Sequence, residues 1–142
     1  MRARTRDERG TATAFVVGFA IVLLACAGLV IDGGTALNER MKLADDVEQA
    51  ARAGAQQINV GALRDDNVIV LDRTKAEGTA RSYLAQIGYA SYDAQVVDCA
   101  DGAQDACVRV AAQKQVPTTM LRLAGVPPFT VKGSATAQAV TQ

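Results

Sequence analysis

From Thr11 to Ile31 the chain reads TATAFVVGFAIVLLACAGLVI, without a single charged side chain. As a helix this stretch is roughly 31 Å long, matching the ~30 Å hydrocarbon core of a bilayer. A helix that is apolar on every side has no polar face to turn to water, so a small soluble domain rarely contains one. Arg2, Arg4, Arg6 and Arg9 precede it, and basic residues beside a span favour the cytoplasmic side. Arg40, Lys42 and Arg52 follow on the far side and make the bias slight, while Asp7 and Glu8 count little. The expected layout is a cytoplasmic basic segment at 1–10, a transmembrane helix at 11–31 and an extracytoplasmic remainder. The protein is then a single-pass protein of the cytoplasmic membrane, with the lipid bilayer as its first partner.

Two other fates compete for the same stretch. Ala25-Cys26-Ala27 before Gly28 has the small residues of a signal-peptidase site. Leu23-Leu24-Ala25-Cys26 is similar to a lipoprotein box in which Cys26 would carry the lipid, although Leu24 fits that box poorly. Either cut would leave an exposed apolar start, since Leu29-Val30-Ile31 continue the run. The retained helix is therefore preferred, with Cys26 a small apolar residue within it.

Asp32-Gly33-Gly34 closes the apolar run, and two adjacent glycines weaken a helix enough for Gly33 and Gly34 to act as a hinge. Residues 32–58 then read as an extracytoplasmic stalk helix. Leu37, Met41, Ala44, Val47, Ala51, Ala55 and Ile58 recur every three or four residues and form one apolar stripe. Its alanines let a partner helix come close while driving little burial of their own. The stripe packs either on the chain's own C-terminal part or on neighbouring subunits.

Residues 59–142 leave room for a small α+β domain. Val68–Leu71 reads as a strand, and Thr74-Lys75-Ala76-Glu77 as a capping box opening a helix that stops at Gly88. Gln95–Cys99 and Cys107–Gln115 read as strands joined across Asp101-Gly102. Pro117 opens a short helix ending near Gly125, and Pro127-Pro128 force an extended restart. Phe129, Val131, Gly133, Ala135, Ala137 and Ala139 share one side of a final strand. The expected fold is an antiparallel sheet with two short helices behind a long N-terminal helix.

Lys+Arg and Asp+Glu balance at 15 each, aromatics are 4% and Trp is absent, so neither a basic field nor a stacking face speaks for nucleic acid. Histidine is also absent, which removes the commonest general base and neutral metal ligand. No nucleophile–base pair, phosphate loop or metalloprotease motif occurs, and adjacent pairs such as Asp45-Asp46 and Asp65-Asp66 diverge on a helix. The reading is a non-enzymatic protein with no catalytic residues, no cofactor, no metal and no small-molecule substrate. Cys99 and Cys107 bracket the turn DCADGAQDAC and, outside the cytoplasm, are expected to pair. Asp98, Asp101 and Asp105 cap and solvate that turn rather than bind calcium.

The ordered set of motifs resembles the N-terminal region of TadE/TadG-like proteins of the bacterial tight-adherence (Flp, type IVb) pilus assembly system. Arg9-Gly10 opens the apolar helix, Gly28-Leu29-Val30-Ile31-Asp32-Gly33-Gly34 closes it, and Leu43-Ala44-Asp45-Asp46-Val47-Glu48-Gln49-Ala50-Ala51-Arg52-Ala53-Gly54 follows. Val116-Pro117-Thr118, with Gly125 and the alanine alternation after it, is similar as well. The resemblance implies a pilin-like fold, pilin-like or pilus-assembly subunits as partners, and a processing point between Gly10 and Thr11. Prepilins of this class carry glutamate at the fifth mature position, where this chain would have Phe15, so the TadG-like branch fits better than a major pilin. The implied function is a membrane-anchored, minor-pilin-like component of such a pilus or a related secretion machine. A small secreted or lipid-anchored binding module is the alternative, and the alanine-striped helix argues against it.

Overall fold

The computed structural model describes residues 8–139; Arg2, Arg4 and Arg6 lie outside them. One helix, α1 (Glu8–Ala55, 48 residues), runs through the apolar stretch and on into the head. It is followed by α2 (Val60–Asp65), α3 (Arg73–Gln86), β1 (Ser91–Val97), β2 (Cys107–Val116), a 3-10 helix (Leu121–Ala124) and β3 (Phe129–Gln138). The strands form an antiparallel sheet in the order β1-β2-β3. The α+β class expected from the pattern is what the chain adopts.

Period-two alternation sends Val96, Val108 and Ala137 to the same face in one lateral row, and Ala94, Val110 and Ala135 in the next. The C-terminal half of α1 and α3 cover that face. The core joins Leu43, Val47, Ala50 and Ala51 of α1, Ala76, Ala80 and Leu84 of α3, and Val108, Val110 and Val116 of β2. Each fully buried Leu or Val contributes roughly 1.5–3 kcal/mol. Nearly half of the core is alanine, which contributes less but brings backbones together. At Gly54 a β-carbon would stand 2.9 Å from the carbonyl oxygen of Ala76 and 3.2 Å from Val108, so only glycine allows α1 this close to α3 and the sheet.

Four local expectations change. Helix α3 begins earlier than the capping-box reading: Asp72 is its N-cap and accepts the Lys75 N–H at 3.2 Å. Glu77 is thereby displaced from capping and accepts the Val96 N–H at 3.2 Å, while Arg81 donates to the Ala94 carbonyl at 2.7 Å. These two side chains engage backbone groups along the free edge of β1, the kind of edge that otherwise invites another strand. Val68–Leu71 is not a strand. Its backbone serves loops instead, with Val70 accepting from Asn59 and Leu71 donating to Asp105, and only an isolated Ile58–Leu71 bridge forms. Helix α2 was not foreseen; Asn59 caps it by accepting the Gly61 and Ala62 N–H groups. The helix expected after Pro117 shrinks to the 3-10 helix because the preceding N–H groups are taken by a residue of α1.

Candidate functional site

What covers α1 changes along its length. Its first part is long and apolar enough to cross a membrane, and only 6% of its most apolar window is buried. Phe15, Leu24 and Val30 are all about three-quarters exposed. The head leaves this segment bare except at Gly28, near its end.

The head begins abruptly at Asp32, whose side chain is 3% exposed. Its Oδ1 accepts the N–H of Thr119 at 3.0 Å and lies 3.3 Å from that of Met120. Its Oδ2 accepts Met120 at 3.0 Å and Leu121 at 2.7 Å. One carboxylate thus gathers three successive amides from a loop almost ninety residues away in sequence. The Leu121 N–H, with smaller help from Thr119 and Met120, holds the carboxyl below the usual carboxylate range against the opposing effect of burial. One turn back, a β-carbon at Gly28 would lie 3.0 Å from Cβ of Met120. Glycine there lets the loop lie directly on the end of the apolar run.

Beyond Asp32 the helix passes unbroken through Gly33 and Gly34, where a β-carbon would meet nothing within 4 Å. The Thr35 hydroxyl donates across the pair to the Ile31 carbonyl at 3.0 Å. The apolar stripe divides. Leu37 (63%) and Met41 (68%) are exposed, as is Ala44, while Val47, Ala51 and Ala55 are buried in the chain's own core. Leu43, Ala50 and Gly54, outside the expected stripe, complete the core-facing line, which is turned by roughly 60° from it. With Val47 they recur at a 4-3-4 spacing, and that is the signal that would have found them.

Polar ties fasten the same helix to the head. Lys114 donates to Glu39 at 2.7 Å, and this bond holds the Glu39 carboxyl below its usual range. Tyr89 donates to Asp46 at 2.8 Å and Tyr83 to Gln49 at 2.7 Å. At the far end of the head Cys99 and Cys107 are disulfide-bonded with Cα atoms 5.3 Å apart, as the turn between them predicts. Asp98 accepts the Asp105 N–H, Asp101 accepts the Ala103 N–H and the Gln138 amide, and Asp105 pairs with Arg73. Among the described residues no group of three or more His, Cys, Asp or Glu side chains is arranged to hold a metal. An open groove of about 850 Å³ runs between α1 and β3, lined by Ala44, Glu48, Arg52, Ala55, Ala135 and Ala137. Its small, mixed lining suits a packing surface.

A helix long and apolar enough to span a membrane continues without a break into the wall of an α+β head, and this defines the class of architecture. Residues 10–57 match the family model of Flp pilus-assembly TadE/G-like proteins, roughly a third of the chain and all of α1 beyond Arg9. The resemblance drawn from the Gly10–Gly54 motifs is borne out, and the run from Val116 lies beyond the matched residues. No curated protein and no solved structure matches the chain. The matched segment holds Gly28 and Asp32, which meet the loop, and Gly54, where α1 comes closest to α3 and the sheet. A pilus-assembly segment and one candidate membrane helix fit a pilus-associated, single-pass protein.

Proposed function

We propose that this chain is a membrane-anchored, minor-pilin-like component of a tight-adherence pilus or related secretion machine, with its head outside the cytoplasmic membrane. The observation that carries the reading is the bare apolar segment of α1, continuous with a helix that walls the head and matched to the pilus-assembly family. A helix left uncovered by its own domain needs lipid or the helices of other subunits around it. A disulfide in the head favours an oxidising compartment and therefore the outward orientation.

In this account residues 11–31 anchor the protein. Leu37, Met41 and Ala44 are the part of the stripe free to pack on pilin-like neighbours, while Val47, Ala51 and Ala55 hold the head. Gly33 and Gly34 allow the anchor to bend relative to the head during assembly. The cut between Gly10 and Thr11 is one route by which the anchor would enter an assembly.

The test is a reporter active only outside the cytoplasm, fused after Gln142, combined with recovery of complexes from detergent-solubilised membranes. An active fusion and co-recovery of other pilus subunits are expected. A fusion active only in the cytoplasm would overturn the orientation. A protein recovered alone from the soluble extracytoplasmic fraction would favour the secreted-module reading.

A further inference from the structure

We infer that the loop from Met120 to Pro128 is a second membrane contact, seating Met120 and Leu123 in the outer leaflet beside the exit of α1. The inference rests on the reading of residues 11–31 as a span. Met120 lies against Gly28. If the hydrocarbon edge falls at Ile31, Gly28 is about 4.5 Å inside it by helical rise, close to the ~5–10 Å at which interfacial segments sit. The loop meets the helix at membrane depth, next to Leu29 and Val30, which are themselves exposed.

The side chains suit that depth. Leu123 is 88% exposed, the most exposed large hydrophobic among the described residues, and Met120 is 46% exposed. A lone exposed leucine on a soluble surface needs no explanation. This one lies three residues from a side chain packed on the apolar run. Arg122 between them is exposed, and its long stem can carry its guanidinium to the lipid phosphates.

The backbone suits it too. Hydrocarbon penalises every amide that lacks a partner. Here Thr119, Met120 and Leu121 donate to Asp32. Leu123 donates to Met120, Gly125 to Arg122 and Val126 to Leu121. The Thr118 hydroxyl donates to the Val126 carbonyl, and Pro127 and Pro128 have no N–H to satisfy. A clamp that only joined head to helix would need the Asp32 bonds to three amides; it would not account for a leucine left 88% exposed beside them. Continuity with the bare helix favours lipid over a protein partner as its cover.

The chain contains no tryptophan, so single tryptophans report without background. Three full-length variants would be reconstituted in phosphatidylcholine vesicles with and without lipid brominated near the carbonyl end of its chains. Leu123→Trp probes the loop, Leu24→Trp the span and Ala100→Trp the far end of the head. Leu123→Trp is expected to emit at shorter wavelength than Ala100→Trp and to be quenched by the brominated lipid, as is Leu24→Trp. Quenching at Leu24 with none at Leu123 overturns the loop contact and leaves the span intact. A blue-shifted but unquenched Leu123 emission would also overturn it, placing the loop against protein. An unquenched Leu24 would instead contradict the span itself, and the loop contact with it.

Discussion

The Oδ2 of Asp32 stands 2.7 Å from the backbone nitrogen of Leu121, and through this bond the end of the apolar helix grips the loop that closes the head. Asn at this position keeps one acceptor but turns an NH2 group toward backbone donors, and Ala removes both acceptors. Asp32→Asn and Asp32→Ala are both expected to open the loop, with Ala the more severe. Limited proteolysis within residues 119–126 should be faster in each variant. The acid response has a definite sign. The folded Asp32 carboxyl lies below its ordinary value of 3.8, so its stabilising share is complete above that pH and drains as pH falls through the lowered folded value. Loop protection in the parent should therefore fall only below about pH 3.8, and Asp32→Asn should remove that pH dependence.

Gly54 shows two effects in opposition. Alanine in a helix interior is favoured over glycine by up to ~1 kcal/mol. Against that, a β-carbon 2.9 Å from the Ala76 carbonyl forces backbones apart, and overpacking of this kind costs about 1–3 kcal/mol. Gly54→Ala is expected to lower the melting temperature by several degrees. Gly33→Ala with Gly34→Ala meets no such contact and should raise it, while reducing complex recovery if the pair bends during assembly. A melt in which Gly54→Ala is neutral would contradict the close approach.

The Cys99–Cys107 bond closes a short loop at the far end of the head, where the chain-entropy model assigns about 2.5 kcal/mol. Replacing both cysteines by serine should lower the melt, and reductant should do the same to the parent. Non-reducing mass analysis should find this bond with Cys26 free. Two thiols alkylated without reductant in protein from the native envelope would contradict it.

The divided stripe separates folding from assembly. Ala51 is fully buried against the head, so Ala51→Glu places a charge in the core and should unfold the head or sharply lower its melt. Met41 is exposed, so Met41→Glu should leave the melt unchanged and weaken association with partner subunits. Equal melts for the two variants would contradict this division of the helix.

Much of the fold was legible in the pattern of side chains. The uncharged run marks the anchor, alternation in Val108–Ala112 and Val131–Ala139 marks the sheet, and cysteines flanking an Asp-Gly turn mark the disulfide. Long-range polar choices were not legible. Nothing local in Asp32-Gly33-Gly34 says that its carboxylate will collect amides from Thr119 to Leu121, and this choice shortens the helix expected after Pro117. Glu77 is as good a capping residue in sequence as it is an edge-strand partner in space, and Asp72 decides between them. The stripe Leu37, Met41, Ala44, Val47, Ala51, Ala55 and Ile58 is one of two overlapping apolar lines on this helix, and the head covers the one through Leu43, Val47, Ala50 and Gly54. Small residues announce close packing without saying against what.

The central claim is that the exposed stripe of α1 just beyond the membrane, at Leu37, Met41 and Ala44, packs on other pilus subunits. A photo-crosslinking residue in place of Leu37 or Met41, activated in intact cells that make the whole pilus system, tests it most directly. The account predicts covalent adducts with other pilin-like subunits from both positions and none from the same group at Ala100, at the far end of the head. Adducts confined to the chain's own head, or none from either position while the system is assembled, would contradict it.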